Sequence, residues 1–131
     1  MFLDASAAIA IIARASDAAT LAGRLRQAIA VLTCAIAFYE TVLGLARLGQ
    51  TSIRDAQAVL DRFLESARVQ VVPITAEIAR GALSAFEQFG RGRHPAALNM
   101  GDCFAYACAR QLDMPLLFKG DDFPLTDITI G

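Results

Sequence analysis

The chain alternates short apolar runs with longer segments in which apolar residues recur every three or four positions. The short runs are typical of strands buried on both faces of a parallel sheet, and the longer period is typical of amphipathic helices. This pattern predicts strands at residues 1–3, 29–34, 69–73, 115–118 and 128–130. It predicts helices over residues 7–13, 16–28, 35–48, 52–65, 75–89 and 100–112.

The predicted elements follow one another in the order βαα, βαα, βα, α, β, β, without a repeat or a linker. Such alternation indicates a mostly parallel sheet with helices on both faces, joined by right-handed crossovers. We therefore expect one α/β domain over residues 1–131, with a three-layer α/β/α, Rossmann-like architecture and a central sheet of four to five strands. In the helix over 75–89, the spacing predicts the inward residues Ile78, Ala82, Leu83 and Phe86.

Composition adds two constraints. Hydrophobic residues make up 56% of the 131 residues, so a small domain has apolar surface left over for a partner or for a second copy of itself. The net charge is −1, which argues against a protein that grips nucleic acid with its whole surface. Eleven of the twelve basic residues are Arg, a bias that suits phosphate contacts but that a GC-rich genome also produces.

The three cysteines, Cys34, Cys103 and Cys108, lie in apolar runs, and no C-x-x-C spacing occurs. We expect buried, reduced thiols, and neither a disulfide framework nor a zinc site. No apolar run reaches eighteen residues, and Asp4 stands where the basic start of a signal peptide would lie. The expected location is the cytoplasm, without membrane association.

Acidic residues occur where the predicted topology brings chain segments to one edge of the sheet. Asp4 follows the first strand, and the doublet of Asp121 and Asp122 follows the fourth. Glu40 lies one to two turns into the helix after the second strand, and Asp102 lies in the first turn of a largely apolar helix. Because α/β sheets form their sites beyond the carboxyl ends of the strands, we expect these carboxylates to converge.

Clustered carboxylates repel one another unless they bind a cation or take up protons. Oxygen ligands without His or Cys select Mg²⁺, with Mn²⁺ as a substitute, rather than zinc. Each acid also has an ordinary structural alternative: Asp4 and Asp102 as helix caps, Glu40 as a side chain that reaches solvent, and Asp121 as a turn residue. The metal hypothesis rests on all four occurring together at equivalent places.

Four segments carry recognisable motifs: residues 1–7 (Met-Phe-Leu-Asp-Ala-Ser-Ala), 38–41 (Phe-Tyr-Glu-Thr), 92–107 (Gly-Arg-His-Pro-Ala-Ala-Leu-Asn-Met-Gly-Asp-Cys-Phe-Ala-Tyr-Ala) and 116–123 (Leu-Leu-Phe-Lys-Gly-Asp-Asp-Phe). Together they resemble PIN-domain ribonucleases, specifically the VapC-type toxins of bacterial toxin–antitoxin pairs. The resemblance covers the whole chain. It implies a PIN-like fold, a Mg²⁺-dependent endoribonuclease that cleaves RNA phosphodiester bonds, a cognate VapB-type antitoxin and a homodimer.

By position, the resemblance implies that Asp4 and Asp102 are the principal metal ligands and Glu40 is a third acid of the site. Asp121 is expected as the fourth acid because it comes first after the strand, although the doublet leaves Asp122 open.

Other polar residues near this edge have both functional and structural interpretations. His94 is a candidate for RNA contact or acid catalysis, but a role in shaping the loop before Pro95 is favoured. Arg91, Arg93 and Lys119 are candidates for phosphate contacts, and solvated roles remain equally open for them.

Two other functions compete with the nuclease. A Mg²⁺-dependent phosphatase or phospho-acceptor domain also places an Asp after its first strand, but such phosphatases need Asp-x-Asp where this chain has Asp4-Ala5-Ser6. A non-catalytic partner-binding module would be favoured if one of the four acids were missing, and none is.

Overall fold

The computed structural model describes residues 1–131. The strands are β1 (Phe2–Leu3), β2 (Val31–Cys34), β3 (Val69–Val72) and β4 (Leu116–Leu117). The helices are α1 (Ala5–Ile12), α2 (Ala18–Gln27), α3 (Ala35–Gly49), α4 (Ile53–Ser66), α5 (Ala76–Phe89) and α6 (Met100–Gln111), and a short 3-10 helix spans Phe123–Leu125. All six predicted helices are present, although α2 begins after Asp17 rather than after Ser16.

The four strands form one parallel sheet in the order β3-β2-β1-β4. β1 lies in the interior of the sheet, where Phe2 pairs with both Leu32 and Leu116. The predicted parallel sheet is confirmed, but the predicted strand at 128–130 is wrong. Ile130 forms only an isolated bridge to Leu116, because β4 is two residues long and offers no ladder for a longer strand to follow.

An apolar core on each face of the sheet completes the three layers. Successive strand residues point to opposite faces, so Phe2 and Leu116 pack with α5 and α6 while Leu3 and Leu117 pack with α1, α2 and α4. Most of the side chains buried in the two cores are small or branched. The three cysteines are buried and form no disulfide. The α/β/α architecture is confirmed.

The prediction for the inward face of α5 is half wrong. Ile78 and Ala82 are buried, but Leu83 is 70% exposed and Phe86 is 38% exposed. The reason is that α5 covers α6 and hardly any other element, so only a narrow stripe of small residues is enclosed. At Gly81 a β-carbon would lie 3.3 Å from that of Ala107, which shows how closely the two helices approach.

None of the helices has both the length and the hydrophobicity that a bilayer crossing requires.

Candidate active site

Asp4 lies at the carboxyl end of β1 and is the only charged residue in the core, with 3% of its surface exposed. It caps α1: its Oδ2 accepts hydrogen bonds from the Ser6 backbone N–H at 2.9 Å and from the Ser6 hydroxyl at 2.5 Å. Burial raises the pKa of Asp4, and the bonds from Ser6 partly oppose that rise. Asp4 thus lies at the sheet edge, as the sequence predicts, and it also caps α1, as the structural alternative predicts.

Ser6 is a site residue that the sequence reasoning did not assign. Besides binding Asp4, its hydroxyl oxygen accepts a hydrogen bond from the Lys119 backbone N–H at 2.9 Å. This pair of bonds ties the start of α1 to the loop after β4. A serine two residues after a capping Asp was the available signal, because a short polar side chain there folds back onto local groups.

Asp102 lies in the first turn of α6 and takes part in a capping box with Asn99. The Asn99 backbone N–H donates to Asp102 Oδ2 at 2.9 Å, and the Asp102 backbone N–H donates to Asn99 Oδ1 at 3.0 Å. The pKa of Asp102 is raised to about 6, mainly by burial, with the charges of Asp4 and Asp122 adding to the rise. The bond from Asn99 and the charge of Arg91 lower it.

Glu40 reaches the same place from α3, and its carboxylate lies against the backbone of Gly101. A β-carbon built on Gly101 would overlap both carboxylate oxygens of Glu40. The pKa of Glu40 is raised to about 7 by burial and then by the charges of Asp4, Asp102 and Cys34. Glu40 and Asp102 are thus adjacent, and only the absence of a side chain at Gly101 permits it.

The doublet after β4 contributes through its second member. Asp121 and Asp122 are both exposed. The charge of Asp122 is among those that raise the pKa of Asp102, and the charge of Asp121 is not. This charge effect favours Asp122 over Asp121, the acid expected from the sequence.

His94, Arg93 and Lys119, the other polar candidates, each contact a neighbouring residue of the protein. Ala96 donates its backbone N–H to His94 Nδ1 at 3.1 Å, and the His94 ring packs edge-on against Phe89, which confirms the loop-shaping interpretation. Arg93 lies over the Phe86 ring at 5.6 Å. Lys119 Nζ pairs with Asp17 Oδ1 at 3.0 Å.

The two aromatic residues of α6 belong to the interior. Tyr106 is buried and donates its hydroxyl to Asp127 Oδ1 at 2.6 Å, and Phe104 packs against the core. Phe104 is only partly buried and also lines an apolar groove between α5 and α6.

The acids fit a hard divalent cation by their chemistry. Asp4, Glu40 and Asp102 supply only oxygen, which Mg²⁺ and Mn²⁺ prefer. Burial is the main cause of the raised pKa values of Glu40 and Asp102, and the charge of Asp4 adds a repulsion that a cation would relieve. No three metal-binding side chains stand together closely enough to hold an ion as they are placed. The carboxylates would therefore have to come closer together to hold an ion.

Comparisons with known proteins identify relatives of the whole chain. Residues 1–128 match the PIN domain family. Ribonuclease VapC of Mycolicibacterium smegmatis is 38% identical over 129 residues, covering 98% of this chain and 97% of that protein. Ribonuclease VapC30 of Mycobacterium tuberculosis is 38% identical over 129 residues, covering 98% and 95%. The crystal structure of Mycobacterium tuberculosis VapC20, a sarcin–ricin loop cleaving toxin, has a TM-score of 0.75 at 18% identity, covering 98% of this chain and 95% of that one. The last match shows a shared fold.

Proposed function

Because the chain belongs to the PIN domain family, we propose that it is an endoribonuclease of the VapC type and the toxin of a toxin–antitoxin pair. The PIN-like fold expected from the sequence is confirmed. One observation carries the catalytic part of the proposal. Asp4, Glu40 and Asp102 come from distant parts of the chain, and yet the charge of Asp4 raises the pKa of both other acids.

The proposed site consists of Asp4, Glu40, Asp102 and one acid of the doublet, Asp121 or Asp122. Mg²⁺, or Mn²⁺ in its place, would be held by these carboxylates. A cation of this kind ionises water and stabilises the charge that develops on a phosphate during in-line displacement. The proximity of Asp122 to Asp102 supports the second acid of the doublet.

The protein's own residues have distinct tasks in this scheme. Ser6 fixes the orientation of Asp4 through two hydrogen bonds, and Asn99 fixes Asp102 in the same way. Glu40 is one of the carboxylates that would hold the ion, and the charge of a bound cation would lower its pKa from the raised value of about 7 that it has in the metal-free protein. Asp4 is buried, which strengthens the charge interactions of its own carboxylate.

We further propose that residues 1–131 act as one PIN domain in the cytoplasm, with RNA as substrate and a cognate VapB-type antitoxin as partner. The exposed apolar residues Leu48, Leu83 and Met100 support partner contacts of this kind. A homodimer is expected on the same ground.

The test is cleavage of total bacterial RNA by the antitoxin-free protein. We expect cleavage with added Mg²⁺ or Mn²⁺ and none in EDTA. Asp4→Asn and Asp102→Asn should each reduce cleavage below detection while the far-ultraviolet circular dichroism is unchanged. Asp61→Asn, on the exposed face of α4, is the matched control and should cleave normally. Undiminished cleavage in excess chelator would refute the metal mechanism, and normal cleavage by Asp102→Asn would show that the site lies elsewhere.

A further inference from the structure

The loop that joins α5 to α6, residues 90–98, has a backbone hydrogen-bond network of its own. It closes on itself through a parallel bridge between Gly90 and Leu98, with Arg91 N–H bonded to Leu98 O at 3.0 Å and Leu98 N–H bonded to Phe89 O at 2.9 Å. The backbone N–H groups of Arg93 and His94 both donate to Gly90 O. We refer to this segment as the 90–98 loop.

Buried anchors hold the 90–98 loop against the core. Ala96 and Leu98 are completely buried, and Gly90 is enclosed by Phe86 so tightly that a β-carbon would overlap its carbonyl. The Ala96 N–H also bonds to the imidazole of His94. A surface segment fixed in this way loses little conformational freedom when it binds a ligand.

The 90–98 loop runs directly into the cap that orients a proposed metal ligand. Leu98, whose carbonyl receives the Arg91 N–H, is followed by Asn99, and Asn99 exchanges two hydrogen bonds with Asp102. The Arg91 backbone is therefore separated from the capping box by one hydrogen bond. The exposed Arg91 side chain therefore starts beside the first turn of α6, where Asp102 lies.

Among Arg91, Arg93 and Lys119, only Arg91 has no ion pair and no aromatic ring beneath its charge. The ion pairs of the structure join Arg80 to Glu77, Arg110 to Asp127, and Lys119 to Asp17. Arg93, two residues further along, lies over the Phe86 ring. Arg91 is exposed and belongs to none of these contacts.

We infer that Arg91 binds the RNA backbone, holding a phosphate beside the scissile one so that the latter lies against the acids of the site. This inference rests on the proposed ribonuclease function and adds to it the residue that positions the substrate. A cluster of carboxylates repels a polyanion, and the net charge of −1 supplies no general attraction. A guanidinium on a rigid loop offsets the repulsion of RNA at this place, because it makes two parallel hydrogen bonds to one phosphate.

The charge of the site selects the ligand class. An acidic side chain of a protein partner is the other anion that a guanidinium binds well. Such a carboxylate would have to approach Asp4, Glu40 and Asp102 without bringing a compensating cation, whereas an RNA phosphate enters together with the divalent ion that the reaction needs. RNA is therefore the favoured ligand, and partner binding becomes an outcome of the test.

The experiment compares Arg91→Ala, Arg91→Lys and Arg93→Ala in the full-length protein. The probes are a fluorescently labelled single-stranded RNA of mixed sequence, bound in Ca²⁺ at several KCl concentrations, and total bacterial RNA cleaved in Mg²⁺. For Arg91→Ala we expect roughly tenfold weaker RNA binding, a salt-dependence slope smaller by about one, and a raised KM with a nearly unchanged kcat. Arg91→Lys should recover part of the affinity and all of the salt slope, because it keeps the charge and loses the fork.

Arg93→Ala is the matched control, since it removes the same charge from the same loop. Equal losses in Arg91→Ala and Arg93→Ala would overturn the inference, because the charge of the loop and not the place of Arg91 would then be responsible. Wild-type RNA binding by Arg91→Ala, with copurification of the antitoxin lost instead, would also overturn it and assign Arg91 to the partner. If the wild-type protein neither binds nor cleaves RNA, the proposed function itself fails; if it cleaves and Arg91→Ala matches it, only the inference fails.

Discussion

Gly101→Ala tests whether Glu40 is an acid of the metal site or only a side chain that reaches solvent. Gly101 is the point at which α6 touches the Glu40 carboxylate. The new methyl group would occupy the space of both Glu40 oxygens. The backbone of Gly101 is ordinary helix in the first turn of α6, so alanine is compatible with it. The substitution therefore moves one carboxylate and leaves Asp4 and Asp102 in their places.

The expected magnitude follows from the overlap. The Glu40 carboxylate must retreat by about 1 Å to restore van der Waals separation. A misplacement of about 1 Å at a reacting centre costs up to roughly 100-fold in rate, so we expect cleavage to fall by about 10- to 100-fold. Stability should be maintained, because alanine favours the helix by about 0.5–1 kcal/mol and a flexible side-chain end moves at small cost.

The assay has two readouts: cleavage of total bacterial RNA in Mg²⁺, and Mn²⁺ binding measured by the electron paramagnetic resonance of the free ion. We expect both to weaken in Gly101→Ala while the melting temperature is unchanged or slightly raised. Gly23→Ala in α2 is the matched control, since a β-carbon there meets nothing nearer than an Arg26 nitrogen at 4.0 Å. Wild-type Mn²⁺ affinity and wild-type cleavage in Gly101→Ala would refute the reasoning that Glu40 belongs to the site.

Three further predictions concern stability and assembly. The pKa of Glu40 is raised from 4.5 to about 7, so the folded state binds this proton more tightly than the unfolded state does. In EDTA, the free energy of unfolding should therefore fall by about 1–2 kcal/mol as the pH rises from 4.5 through 7. This figure is reduced because the Glu40 carboxylate is half exposed. Urea titrations at pH 5 and pH 8 should show this loss in the wild type and a smaller one in Glu40→Gln; equal losses would contradict it. Asn99→Ala removes the capping box and should lower the melting temperature by about 4 °C in calorimetry, with an unchanged value as the contrary result. Light scattering of the isolated protein should give the mass of a dimer, and an active monomer at micromolar concentration would count against that state.

Local chemistry made much of the fold predictable. Ser52 and Thr75 cap α4 and α5 as their positions suggest, because short hydroxyl side chains satisfy free N–H groups at helix starts. The parallel sheet followed from apolar runs alternating with helices. The failure at 128–130 has a long-range cause, since whether Ile130 extends a sheet depends on how much of β4 is available.

The sequence indicated three acids of the candidate site, but it indicated neither Ser6 nor the contacts among the acids. Topology alone brought Asp4, Glu40 and Asp102 to one edge. The contact between Glu40 and Gly101 joins residues far apart in sequence, and only the packing of α3 against α6 creates it. The preference for Asp122 over Asp121 is a one-residue register in a turn, which leaves no periodic signal.

The central position of β1 also governs when the molecule can acquire its chemistry during synthesis. Phe2 and Leu3 pair with Leu116 and Leu117, which are made much later, and Asp4 is linked to Lys119 through Ser6 beside that pairing. A chain that emerges from the ribosome at about 5–20 residues per second therefore spends seconds with its first strand unsatisfied on one side. The bond from Lys119 to Ser6, which holds Asp4 at the sheet edge, is therefore among the later contacts that the folding chain can make.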